Sequence, residues 1–264
     1  MAQAGGMPVV FLTAYHLLRS IRPLLPGETV LVQAAASGVG TVLLQLCKQW
    51  ALRSIATAST AAKLELARDL GADETINYAT HDFEAEVQRL TRGAGVQLAL
   101  DAVGGEVTRK SMRCLAPFGC LINYGNASNQ SVELPLASFR EQRMAVGFGL
   151  PSMAPRYDNQ APMAEMLDLM TAGKLRLVVD RVLPLSEAAE AHGHLANRGA
   201  MGKVLLALKG AGIEVTALHS HMLQEEPRLF FMHFWANDDA LTLARGLRAA
   251  LDRIEIRKEV AQSK

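Results

Sequence analysis

From Thr29 to Leu150, short apolar runs of strand length alternate with longer segments whose apolar residues recur every three or four positions. The strand-like runs are 29–34, 54–58, 74–78, 96–103, 119–125 and 144–150, and 62–70 and 83–91 carry the helical period between them. Strands separated by helices in this way predict a parallel sheet with crossover helices. Past Pro151 the pattern gives a loop, a helix within 161–174, a strand within 175–185, a helix over 186–198 with Ser186 as its cap, and a strand over 202–209. After Gly210 the style changes. Residues 212–223 and 228–236 read as two strands joined by the polar turn "QEEPR", and a helix is predicted from Asn237 to about Asp252. The expected fold is α/β, with a doubly wound parallel sheet in residues 1–208 and a small ββα segment in 209–264.

Half of the 264 residues are hydrophobic, enough for a sizeable core. The 27 Lys and Arg nearly cancel the 26 Asp and Glu, which removes the electrostatic case for a nucleic-acid or polybasic membrane-binding protein. A small ligand or a bound anion fits that balance better. Cys47, Cys114 and Cys120 lack metal-ligand spacing and point to a reducing, cytoplasmic setting. The N-terminal run has no basic start, and Gly5, Gly6 and Pro8 interrupt it, so neither a signal peptide nor a membrane span is expected.

The candidate chemistry lies in "VLVQAAASGVGTVLLQL", Val30–Leu46, where small residues link a strand to a helix. Ala35 and Ser37 stand at the first two positions of a GxGxxG pattern, and Gly40 keeps the third. Small side chains at such a turn let the backbone approach a pyrophosphate, whose charge meets the free amides at the helix start. The same residues also suit a tight turn that holds no ligand. Where NAD-binding chains carry an acid at the end of the second strand, this one has Ser59 and Thr60. Lys63 and Tyr78 could flank a 2′-phosphate there, although singly they read as a solvated helix lysine and a half-buried strand tyrosine. Asp101 and Glu106 flank "AVGG" at a strand's carboxyl end, with a hydrogen-bonded Asp101 and a helix-capping Glu106 as the plainer account.

The run "PVVFLTAYHLL", "PGETVLVQAAASGVG", "IATASTAAKLELARDLGADETINY", "LDAVGG", "LAPFGCLINYG", "VGFGL" and "GKVLLAL" resembles the quinone oxidoreductase (zeta-crystallin-like) branch of the medium-chain dehydrogenase/reductase superfamily. The resemblance implies an NADPH-dependent, zinc-independent enzyme that carries hydride to a quinone or an activated alkene. It implies Ser37, Gly38 and Val39 at the pyrophosphate, and Ser59, Lys63 and Tyr78 around the 2′-phosphate. Val103 and Gly104 would lie along the adenine-side ribose, with Thr13, Tyr124, Gly125, Phe148 and Leu150 lining the nicotinamide. No catalytic residue is singled out, and NADP(H) is the implied cofactor. A homodimer paired along the "AVGFGL" strand is also implied.

Compared with that family, the chain begins late, and most of a GroES-like N-terminal domain is expected to be lacking. The strand "GKVLLALK" is then expected to find a substitute pairing partner in Gly210–Asp252. That tail resembles part of an LppY/LpqO-like bacterial domain, giving the look of a fusion. His219, His221 and His233 are weak metal-ligand candidates there. Two further function classes therefore stand beside the enzyme: an NADPH-binding but catalytically idle sensor or interaction module, and a metal-binding or hydrolytic role for the tail.

Overall fold

The computed structural model describes residues 2–153, 159–207, 214–219 and 231–235. The chain divides into two compact units, one of Met7–Asp180 with Ala200–Lys203, the other of Met1–Gly6, Arg181–Gly199 and Val204–Lys264. In chain order the elements are α1 (Ala2–Arg19), β1 (Thr29–Val32), α2 (Gly38–Gln49), β2 (Arg53–Ala58), α3 (Ala61–Asp69), β3 (Glu74–Asn77), α4 (Phe83–Leu90), β4 (Val96–Asp101), α5 (Glu106–Arg113), β5 (Leu115–Asn123) and β6 (Met144–Gly147). They continue as α6 (Leu150–Met153), α7 (Gln160–Thr171), β7 (Val179–Pro184), α8 (Ala188–Ala196), β8 (Lys203–Ala207), β9 (Glu214–His219) and β10 (Phe231–Trp235).

The larger unit is built on a parallel sheet in the order β3-β2-β1-β4-β5-β6, the doubly wound arrangement that the alternating pattern predicts. Its central strands β1 and β4 are largely apolar and almost wholly buried because both faces are covered. Val30 and Val32 join a cluster with Phe11, Leu17, Leu43, Leu98 and Met166, whereas Leu31 joins Ile55, Phe83, Val87 and Met112 on the opposite face.

Helix α1 runs through Gly5, Gly6 and Pro8, the residues expected to interrupt that segment. Tertiary burial outweighs local propensity here, because Val10, Phe11, Ala14, Leu17 and Leu18 recur on one buried face. Strand β5 starts earlier than its apolar run suggests, and a register shift opposite Val96 and Leu98 accompanies the left-handed Phe118 (φ 59°).

The smaller unit corrects one cap. Ser186 lies inside a 3-10 turn, Leu185–Glu187, and the cap of α8 is Glu187, which makes no side-chain capping bond. A second sheet runs β10-β9-β8-β7. Strand β9 pairs antiparallel with β8 through Leu206↔Val215 and Ala207↔Glu214, so part of the tail does sit along the "GKVLLALK" strand. The helix expected over 237–252 lies outside the described residues. Among the described residues no helix is long and apolar enough to cross a membrane.

Candidate functional site

Strands β1 and β4 are neighbours in the sheet, but the connections leaving them run in opposite directions, which opens a crevice at their carboxyl ends. One wall is the turn between β1 and α2. Ser37 caps α2, its Oγ accepting from the Gly40 amide at 3.1 Å, and the Ala35 amide donates to Thr57 O of β2 at 3.1 Å. A Cβ on Gly40 would stand 2.6 Å from both the Ala34 and Ala35 carbonyl oxygens, so glycine is what lets the helix begin this close to its turn. The parallel bridge between Ser37 and Gly202 turns the Gly38 amide toward the Gly202 carbonyl, whereas the Val39 amide, in the first turn of α2, has no acceptor four residues earlier within the helix.

Four helices, α2 to α5, start at this carboxyl edge, and their first turns differ in charge. Those of α2 and α3 contain no acid, whereas α4 has its cap Asp82 with Glu84 and Glu86, and α5 has Glu106. At α3, Thr60 is the cap, its Oγ1 accepting from the Lys63 amide at 3.3 Å. Ser59 follows β2 directly, and Tyr78, 40% exposed, follows β3 with its amide bonded to Ala58 O. The sheet thus gathers Ser37, Gly38, Val39, Ser59, Lys63 and Tyr78 along one stretch of edge, with no carboxylate in the first turn of either adjacent helix.

The opposite wall is the loop 102–105. Asp101, fully buried at the end of β4, accepts from the Val103 amide at 2.7 Å and the Gly104 amide at 3.3 Å. Its other oxygen accepts from Thr108 Oγ1 of α5 at 2.5 Å and Asn123 Nδ2 of β5 at 3.3 Å. The Val103 carbonyl accepts from Ser128 N at 2.7 Å. Both amides of Val103 and Gly104 are therefore committed within the protein, which leaves their carbon surfaces for a ligand. Tyr124 and Gly125 follow β5, and Phe148, after β6, donates its amide to Asn123 O at 2.8 Å. Leu150 opens α6. The Tyr124 hydroxyl is buried with no hydrogen-bond partner among the described residues, and burial, helped by the Asp101 charge, pushes its pKa up. Thr13 is buried on α1.

In the sequence Lys203 is simply part of the apolar strand predicted over 202–209. Gly202 bridges to Ser37 and donates its amide to Ala36 O at 2.8 Å, which sets Lys203 beside the turn. The lysine stem lies over the first residue of α2, so a Cβ on Gly38 would meet Lys203 Cδ at 2.6 Å. Burial pulls its pKa down, and no described carboxylate pairs with it. The Lys203 amide donates to Val178 O at 2.9 Å. The preceding segment is held by Gln45 of α2, whose side chain accepts from the Arg176 amide at 2.9 Å and donates to its carbonyl at 3.0 Å. The available signal was a lone lysine opening an otherwise apolar strand directly after a glycine.

Among the described residues no three His, Cys, Asp or Glu side chains are grouped to hold a metal ion. His219 pairs with Phe231 and His233 with Ala217 in the β9–β10 register, and His221 lies outside the described residues.

The zinc-binding dehydrogenase family matches residues 70–206, and a domain of unknown function, DUF1259, matches residues 196–253. The chain is 33% identical over 206 residues to a 2-haloacrylate reductase of a Burkholderia species, covering 76% of this chain and 62% of that one. It is 35% identical over 207 residues to a quinone oxidoreductase of Pseudomonas aeruginosa, covering 77% and 64%. The crystal structure of Escherichia coli quinone oxidoreductase complexed with NADPH superposes with a TM-score of 0.73 at 29% identity, over 77% of this chain and 64% of that chain. The chain thus spans less than two thirds of these relatives' length.

Proposed function

This chain belongs to the zinc-binding dehydrogenase family, and we propose that it is an NADPH-dependent oxidoreductase of quinone-reductase type, passing hydride to a quinone or an activated alkene. The observation that carries this reading is the acid-free pair of helix starts at α2 and α3, with the Lys203 stem laid over the first of them. A dinucleotide's diphosphate suits the positive end of α2 at Ser37, Gly38 and Val39, and the lysine supplies the cation that a buried diphosphate needs. A 2′-phosphate suits the neighbouring edge, where Ser59, Lys63 and Tyr78 stand and no acid repels it. The relatives named quinone oxidoreductase and 2-haloacrylate reductase, and the NADPH-bound E. coli neighbour, support the same cofactor and the same kind of acceptor.

When bound, NADPH supplies the hydride, and the chain's own residues bind and orient it. In this reading Val103 and Gly104 flank the adenine-side ribose, while Tyr124, Gly125, Phe148, Leu150 and Thr13 line the nicotinamide half. No metal is assigned a role. The same reading gives a homodimer joined along β6, whose residues are mostly exposed and which pairs with β5 alone among the described strands. The three free, buried cysteines support a reducing compartment, the cytoplasm.

The test is NADPH consumption in the presence of phenanthrenequinone, run beside a thermal-shift titration with NADPH. Quinone-dependent oxidation is expected. Stabilisation by NADPH without turnover over a panel of quinones and enones would leave a binding protein, and no stabilisation at saturating NADPH would remove the reading altogether.

A further inference from the structure

The loop 102–105 is short and glycine-rich, and it stands at the switch point directly across from the Ala34–Ser37 turn. The join between the two is tight, because Gln33 N donates to Leu100 O at 3.0 Å where β1 and β4 end. Gly104 and Gly105 have positive φ angles of 84° and 59°, a left-handed conformation that needs an external constraint to stay in one place. A Cβ on Gly104 would collide with Asn126 Oδ1, and one on Gly105 would lie 2.7 Å from Gln130 Oε1, so the loop is packed on its outer side as well.

The inner side is held by one group. The Asp101 carboxylate gathers donors from its own loop, from Thr108 of α5 and from Asn123 of β5. None of these donors is a cation, so among the described residues no charge partner accounts for the acid at this buried position. Only an acceptor with lone pairs on both oxygens can receive all of them, because an amide would present hydrogens to at least one. The carboxylate also lies at the start of α5, whose Gly105 cap offers no side-chain oxygen.

We propose that Asp101 is a positioning residue for the dinucleotide site, its carboxylate fixing the 102–105 loop as the wall on which the adenine-side ribose rests. This rests on the NADPH reading above. Asp101 itself does not touch the ligand. It acts through the carbon surfaces of Val103 and Gly104, whose amides it ties down.

The experiment is calorimetric titration of the full chain and of Asp101→Asn and Thr108→Val with NADPH and with adenosine 2′,5′-bisphosphate, well below each protein's unfolding temperature. Asn at 101 keeps the volume but turns an amide toward the donors, and affinity for both ligands is expected to fall about tenfold. Val at 108 removes one donor, with a fall of about threefold expected. If Asp101→Asn does not fold, the Thr108→Val result decides. A role in stability alone would lower the unfolding temperature and leave both affinities as in the wild type, and that result overturns the proposal while sparing the NADPH reading. Failure of the unmodified chain to bind NADPH overturns both.

Discussion

The carboxyl edge of the parallel sheet offers four helix starts made of the same backbone and finished in two ways. At α4 and α5 carboxylates fill the positive end: Asp82 caps α4 and pairs with Lys110 at 2.6 Å, while Glu84 pairs with Arg113 at 2.8 Å across to α5. At α2 and α3 the caps are the neutral hydroxyls of Ser37 and Thr60, and no acid follows in the first turn. A helix start attracts anions wherever it occurs, so the side chains decide whether that attraction is spent inside the protein or left open. The two starts left open are the two that flank β2, where a diphosphate and a 2′-phosphate could lie side by side.

The most severe way to break this contrast is Ser37→Asp. Aspartate caps a helix as well as serine does, so stability is expected to hold within about 0.5 kcal/mol or to rise slightly. A charge facing a diphosphate at short range should cost NADPH binding about a hundredfold. Wild-type affinity in this variant, measured by calorimetry, would show that the diphosphate does not sit on α2.

Next in size is Lys203→Met, expected to weaken NADPH about tenfold while raising the unfolding temperature of the free protein. Burial depresses this lysine's pKa in the fold. A lysine with a lowered folded pKa penalises the native state while it is protonated, and the penalty fades as pH rises through the folded pKa toward the unfolded value near about 10.4. The gap in unfolding temperature between variant and wild type should therefore be widest near neutrality and narrow in alkali. A gap that widens with pH would contradict the burial assigned to the ammonium.

Lys63→Ala is expected to weaken NADPH about fivefold and leave NADH unchanged, since only the 2′-phosphate distinguishes them. Equal losses for both cofactors would separate α3 from α2 in function. The smallest effect belongs to the other class of helix start. Asp82→Asn keeps a capping side chain and loses a largely exposed ion pair, for about 0.5 kcal/mol and no change in NADPH affinity. The hydrogen bond from Lys110 holds the Asp82 pKa below the usual carboxylate range. Its contribution is therefore present above the unfolded pKa and is lost as pH falls through the folded one, so wild type and variant should converge on the acid side of about pH 4.

The doubly wound parallel sheet and the glycine turn were legible because both are written locally: apolar runs at strand length, small residues between β1 and α2, and hydroxyls after β2. Other features depend on partners far along the chain. Lys203 reads as part of an apolar strand until Gly202 is seen bridged to Ser37. Pro8 and the adjacent glycines looked like interruptions because the buried face that overrides them is supplied by the sheet. Ser186 has the right residue type for a cap, but the chain tightens into a 3-10 turn there and hands the position to Glu187. Asp101 could be placed at a strand end from sequence, whereas the donors from three elements that converge on it could not.

Gln45 bears on how association would proceed. Its grip on both backbone groups of Arg176 moors the strip of chain that in turn holds Lys203, so the cation is stationed over the turn before any anion arrives. Ordering of that lysine is thus settled during folding rather than at the encounter, and a ligand docking there forfeits little chain freedom of the receptor.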